Sequence, residues 1–208
     1  MITKALLTRF ESRGGSDSDI TQFLMSAPPM VRKEQATAAW FAVRFGRGEF
    51  GIFDVFADEA GMIEHLRGPV ASALIGEADY MLAGMPRLGQ LDVLAHRLPP
   101  DDLQDITKGL LLTFKARQGN EEAVAAFLRN ALHFVEAETG TRAWFAIQLD
   151  AQHFGIFDVF RDNEARFAHL TGQVPRELAR HALTLLGSVP EMHLLDVVAV
   201  TSRSPPVN

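Results

Sequence analysis

No cysteine occurs in the 208 residues, which excludes disulfides, thiolate metal sites, iron–sulfur ligation and a cysteine nucleophile. Long apolar runs are missing too. The opening segment from Met1 to Arg9 has a few apolar residues but no small-residue cleavage site, so neither a signal peptide nor a membrane span is expected, and the chain reads as cytoplasmic. Basic clusters are absent: 20 Lys and Arg stand scattered against 26 Asp and Glu, a net charge of -6. That distribution gives no footprint for a phosphate backbone or an anionic membrane, so neither nucleic acid nor membrane is expected as a partner. A glycine-rich phosphate loop and a Gly-x-Ser-x-Gly elbow are also missing.

What is present is a duplication. At an offset of 104 residues Trp40-Phe41-Ala42 falls on Trp144-Phe145-Ala146, and Phe50-Gly-Ile-Phe-Asp-Val-Phe56 falls on Phe154-Gly-Ile-Phe-Asp-Val-Phe160. Ile2-Thr3-Lys4 falls on Ile106-Thr107-Lys108, and Leu91-Asp92-Val93 falls on Leu195-Asp196-Val197. Roughly two aligned positions in five are identical, against about one in twenty by chance. Two repeats follow, residues 1–98 and 104–201, joined by a linker from Leu98 to Leu103 and closed by a loose tail from Ser202.

Each repeat reads strand, helix, strand, strand, helix, strand. Leu-rich segments, Ala5 to Phe10 and Leu110 to Phe114, open the two copies. In the second copy Val124, Phe127, Leu128, Ala131 and Val135 recur at helical spacing, with Gly140 placed as a C-terminal cap; in the first, Pro28-Pro29 should break the corresponding helix. Ala38 to Phe45 and Phe50 to Phe56 read as a hairpin around a four-residue loop, Gly46 to Glu49. Asp58 and Asp162 look like N-caps of a second helix that Gly68-Pro69, or Gly172 and Pro175, divide in two. A strand ends each copy, Leu91 to Ala95 or Leu194 to Val200.

The order βαββαβ is the ferredoxin-like arrangement, with both helices on one sheet face. The hairpin strands are apolar on both sides, Phe41, Val43 and Phe45 alternating with Trp40 and Ala42, so the second face must also be buried. The expected fold is therefore α+β: two ferredoxin-like repeats packed sheet to sheet as an intramolecular dimeric barrel, a pseudo-dimer within one chain that leaves further oligomerisation open.

These residues resemble the antibiotic biosynthesis monooxygenase family, small α+β barrel proteins in which two ferredoxin-like subunits pack sheet to sheet. The resemblance covers both copies. It is carried by Glu136-Ala-Glu-Thr-Gly-Thr-Arg-Ala-Trp-Phe145 and by the run Phe-Gly-Ile-Phe-Asp-Val-Phe followed by Asp58-Glu-Ala and His65-Leu66, or by Asp162 and His169-Leu170. It implies oxidation of quinols or polyphenols without metal or flavin, the substrate supplying electrons to oxygen. Family enzymes place an Asn and a Trp on the strand before the second helix and a Tyr at its start; here stand Ile52, Phe56 and Met62, and Ile156, Phe160 and Arg166. Haem-degrading relatives use an Asn, a Trp and a His, and the Trp position holds His65 or His169. Neither catalytic set transfers residue by residue.

The candidate catalytic residues are then His65 and His169, each able to act as a base near neutral pH, and Asp54 and Asp158, carboxylates on an apolar strand face. The bland readings are a packing histidine and a fold-supporting hydrogen bond. Candidate ligand contacts are Trp40, Trp144, Phe56 and Phe160, and Arg9 and Arg44, whose counterparts are Thr113 and Gln148 and which therefore suggest diverged pockets. Tyr80 and His96, opposite Thr184 and Val200, differ in the same way. No metal site and no cofactor is expected. The reading is a cofactor-independent monooxygenase-like protein acting on or binding a small aromatic, quinol-type molecule in an apolar pocket, with a non-catalytic ligand-binding or interaction module as the alternative.

Overall fold

The structure is a computed structural model that describes residues 1–99, 103 and 105–203. The middle of the expected linker and the end of the expected tail lie outside the described residues. The first repeat contains β1 (Lys4–Glu11), α1 (Asp17–Ser26), α2 (Pro28–Val31), β2 (Thr37–Gly46), β3 (Glu49–Phe56), α3 (Glu59–Leu66), α4 (Pro69–Met81) and β4 (Arg87–Arg97). The second contains β5 (Lys108–Lys115), α5 (Glu121–Glu136), β6 (Thr141–Gln148), β7 (His153–Phe160), α6 (Asn163–Leu170), α7 (Gln173–Leu185) and β8 (Glu191–Ser202). The fold is α+β, two ferredoxin-like repeats whose strands follow the order β1-β3-β2-β8-β5-β7-β6-β4 in a closed barrel.

Two compact units divide the chain, chiefly Met1–Gln90 with the segment from Asp196, and Leu91–Pro99 with Ile106–Leu195. In the first unit β3 lies between β1 and β2, pairing Phe53 with Leu7 and with Phe41, and β2 pairs on its other side with the end of β8, Phe41 opposite Val200. The second unit repeats the scheme: β7 lies between β5 and β6, and β6 pairs with the end of β4, Ile147 opposite Val93. The last strand of each repeat is thus longer than its apolar core suggests, because it runs from one unit into the other.

Alternation along the strands sorts the two faces. Trp40, Ala42, Phe50 and Ile52 pack with Ile20, Leu24, Val70 and Leu74 of the first unit's helices; Trp144, Ala146, Phe154 and Ile156 do the same with Val124, Leu128, Val174 and Leu178. Phe41, Val43, Phe53 and Val55, on the opposite face, are also wholly buried. Each such side chain taken out of water stabilises the fold by about 1.5–3 kcal/mol.

The local signals hold with two corrections. Pro28 ends α1, as a residue without an N–H must, whereas α5 runs unbroken through the same stretch. Asp58 and Asp162 cap α3 and α6, accepting from Gly61 N and Ala165 N at 2.9 Å. The first hairpin closes on two residues rather than four: Gly46 pairs with Glu49, and Gly48 takes φ 75°, the left-handed conformation a tight turn needs. Gly140 does not cap α5, which ends at Glu136 with Ala137 as its cap. Its role is close packing, since a Cβ there would stand 3.2 Å from that of Ala165.

Candidate functional site

Asp54 points from β3 toward the helices because it shares strand parity with Phe50 and Ile52. His65 stands on the last turn of α3, aimed back at the sheet, and Glu34 and Thr37 come from the approach to β2 and its first residue. The four side chains meet. His65 Nδ1 lies 2.5 Å from Glu34 Oε2 and 3.2 Å from Thr37 Oγ1, while its Nε2 lies 3.4 Å from Asp54 Oδ2. In the second repeat His169 Nδ1 lies 2.6 Å from Glu138 Oε2 and 3.3 Å from Thr141 Oγ1, and Nε2 lies 3.1 Å from Asp158 Oδ2. An aromatic ring flanks each imidazole, Phe56 beside His65 and Phe160 beside His169, with ring centroids 5.3 Å apart in both pairs.

The backbone is shaped to admit the glutamates. A Cβ at Gly68 would stand 2.7 Å from Glu34 Oε1, and one at Gly172 would stand 3.1 Å from Glu138 Oε1. Each glycine opens the helix that follows, α4 or α7, so the glutamate sits where a helix start favours negative charge. Arginines pin the two glutamate segments: Arg97 Nη1 donates to the carbonyls of Val135, Glu138 and Thr141, and Arg203 donates to Glu34 O at 3.0 Å.

Burial opposes charge on both histidines, yet the attraction and hydrogen bonds of the aspartate and the glutamate outweigh it, and both are pushed up to about 10. Burial pushes Asp54 and Asp158 above the usual carboxylate range against the pull of the histidines. Glu34 and Glu138 resist their own burial and stay below it, held by the hydrogen bond and charge of the imidazolium. The expected neutral-pH histidine base is therefore an imidazolium, able to donate a proton or balance a charge but not to accept one.

Both aspartates are nearly or wholly buried. Asp54 Oδ1 is buried without a hydrogen-bond partner, and Asp158 meets His169 Nε2 through Oδ2 at 3.1 Å. Asp158 and His169 are the polar members of a cavity of about 300 Å³ within the second repeat, walled otherwise by apolar residues including Leu112, Ile156, Leu178 and Met192. On its other side His169 borders a polar cleft of about 320 Å³ with Glu138, Thr141 and Gln173. In the first repeat a hollow beside Asp17 and Arg44 and another beside Arg9 and Arg87 are lined by neither His65 nor Asp54.

The other expected contacts are placed apart from this cavity. Trp40 and Trp144 are fully buried in the two cores. Arg9 pairs with Glu49 and covers the ring of Phe45 at 4.2 Å, and Arg44 pairs with Asp17 at 2.5 Å. Arg166 is engaged by the carbonyls of Gly109 and Leu195. Tyr80 is exposed, and His96 stacks on Phe145. Glu34, Thr37, Glu138 and Thr141 were not singled out in the sequence, although Glu and Thr keep the 104-residue offset through a stretch that otherwise diverges. Among the described residues no group of three His, Asp or Glu side chains is arranged to hold a metal ion, and no helix is long and apolar enough to cross a membrane.

No family model and no curated protein matches the chain. Solved structures do. A protein named "putative monooxygenase" from Fusobacterium nucleatum superposes with a TM-score of 0.83 at 13% identity, over 98% of this chain and 95% of that one. Another of the same name, from Lactobacillus acidophilus, gives 0.82 at 11%, over 98% of both chains. A Listeria monocytogenes ferredoxin-fold protein related to antibiotic biosynthesis monooxygenases gives 0.54 at 8%, over 95% of both. Such low identities speak for the fold. The likeness is one of fold: the chain is a tandem ferredoxin-like barrel, as expected from the sequence.

Proposed function

We propose that the chain is a cofactor-independent oxygenase acting on a small electron-rich aromatic, such as a quinol, held in the cavity of the second repeat. The observation that carries this reading is the cavity itself: apolar walls beside a buried aspartate–histidine ion pair. Its volume of about 300 Å³ lies at the lower end for small-molecule sites and suits a ligand of two or three fused rings. Asp158 takes the proton of the substrate, and the neighbouring His169 imidazolium offsets the negative charge that develops on the ring. The resulting electron-rich anion reduces dioxygen directly. For a substrate whose reacting carbon is a ring methylene, that carbon becomes a carbonyl: one atom of dioxygen forms the new C=O bond, and the other leaves as water with the two methylene hydrogens. The carbon supplies all the electrons, so no external reductant is needed. The monooxygenase names of the structural neighbours agree with this chemistry.

A second reading has its own support. The same Glu–Thr–His–Asp set stands in the first repeat, where it ties α3, β2 and β3 together, so the set can serve folding alone and the cavity can bind without turnover. Oxygen uptake by the full chain with a panel of quinols separates the two. Uptake that falls at least tenfold in His169→Ala supports the oxygenase. Binding of the same quinols without uptake supports the binding module, and neither binding nor uptake overturns both.

A further inference from the structure

We infer that the ligand of the second-repeat cavity carries an unbranched aliphatic chain, laid along α7 with its end toward Leu186. The inference rests on the cavity being a small-molecule site, as proposed above, but not on any turnover there.

One helix sets the shape. Val174, Leu178, Ala182 and Leu186 recur at helical spacing, so they form a single stripe along α7 and just past its end, and all of them line the cavity. At the helical rise the stripe from Val174 to Leu186 is about 18 Å long. A volume of about 300 Å³ spread over that length leaves a cross-section of about 17 Å², close to the girth of one hydrocarbon chain. The two ends differ. His169 lies at the start of α7, where its carbonyl accepts from Gly172 N at 2.8 Å, so the His169–Asp158 ion pair marks one end. Leu186 marks the other, bridged to Ala116 just beyond β5.

The wall between these ends is aliphatic. Leu, Ile, Val, Ala, Pro and Met supply it, and no Phe, Tyr or Trp stands among the described lining residues. It offers no ring face on which an aromatic could stack, whereas close dispersion contacts to methylene groups are available along its whole length. A cavity of about 150 Å³ takes one benzene, so this one takes about twelve carbon atoms; a six-membered ring at the His169 end leaves room for a chain of about six. The first repeat is less uniform at the matching positions. Thr8, itself buried, answers to Leu112, and the larger Ile75 answers to Ala179, so the continuous hydrocarbon wall belongs to the second repeat.

A homologous series reads the shape directly. The experiment measures binding of radiolabelled 1-alkanols, from 1-hexanol to 1-tetradecanol, to the full-length protein by equilibrium dialysis, with naphthalene as a rigid comparison. Each methylene taken out of water strengthens binding by about fourfold. Affinity should therefore climb with length and level off near 1-dodecanol, where about twelve carbons fill the cavity. The same series is repeated with Ala182→Leu, which thickens the middle of the stripe. That variant should bind 1-hexanol within about threefold of the natural chain and 1-dodecanol at least about tenfold more weakly, because only the long chain must pass position 182. Affinity that keeps climbing through 1-tetradecanol places the chains on an open surface and overturns the inference. Equal losses for short and long chains in Ala182→Leu indicate a wide chamber and overturn it as well. Binding of naphthalene but of no alkanol overturns the chain while leaving the cavity as a ligand site; binding of neither overturns it together with the reading on which it rests. Should Ala182→Leu fail to fold, the length series in the natural chain still decides.

Discussion

The two repeats carry the same buried charge set on different scaffolding, and the difference separates what the fold requires from what a ligand could use. His65 and His169 have matching partners, distances and burial. Around them the first repeat breaks its leading helix at Pro28, while the second keeps α5 whole and places Asp158 and His169 on an apolar cavity. A feature kept in both copies is explained by folding; the cavity needs another explanation. The hardest test of this division separates the copies. A fragment of residues 1–98 lacks Asp196–Ser202, the strand segment that pairs with β2, and exposes that edge. It should aggregate or self-associate, as judged by light scattering, and a stable soluble monomer would show that the repeats do not depend on each other's last strand.

Removing one charge is the next largest disturbance. Deleting either histidine strands a buried aspartate, at a cost of about 3–5 kcal/mol for breaking a buried pair. For a chain of this size that corresponds to a fall of roughly 6–20 °C in Tm. His65→Ala and His169→Ala should lose comparable stability in thermal denaturation while only His169→Ala alters ligand binding. If just one of them destabilises, the set is not a shared folding device.

The pH dependence follows from the same groups. Each histidine is raised from 6.5 to about 10, so its contribution is complete below pH 6.5 and is lost as pH rises toward 10. Glu34 and Glu138 are held low, so theirs is lost only on the acid side, as pH falls below about 4.5. Stability should therefore decline from pH 6.5 to 10, by a few kcal/mol, and the double variant His65→Ala/His169→Ala should flatten that limb. A limb equally steep in the double variant would place its origin elsewhere.

Much of the fold was legible because its signals are local or periodic: the offset of 104, the proline break, the aspartate caps and the two-sided apolar strands all act through backbone sterics, hydrogen bonding and burial near their own positions. The length of β4 and β8 was not, since their pairing partners come from both units and their outer residues are polar. In the site, His65, His169, Asp54 and Asp158 could be picked out one at a time, but their meeting is tertiary. Glu34 sits in a connection with no periodicity, and nothing near it in sequence says that it ends against His65, 31 residues on. The state of the histidine was likewise hidden, because two carboxylates brought together by folding raise it.

The smallest test concerns one methyl group. In the first repeat Ala36 faces Gly61, and a Cβ on Gly61 would stand 3.2 Å from that of Ala36; in the second, Gly140 faces Ala165, and a Cβ on Gly140 would meet that of Ala165 at the same 3.2 Å. These positions correspond at the 104-residue offset, so each repeat keeps one methyl in the contact and places it on the opposite partner. The contact lies under the capped turn, where Gly61 N and Ala165 N both donate to the capping aspartate. Gly61→Ala should gain up to about 1 kcal/mol of helix propensity but add a second methyl to a gap that fits one, at a cost of about 1–3 kcal/mol. Adding Ala36→Gly removes that crowding and gives the first repeat the arrangement of the second. A double-mutant cycle by thermal unfolding should then show a favourable coupling of about 1 kcal/mol between positions 36 and 61. Strict additivity would mean that the turn relaxes around the extra methyl, and that the exchange between repeats is drift rather than compensation.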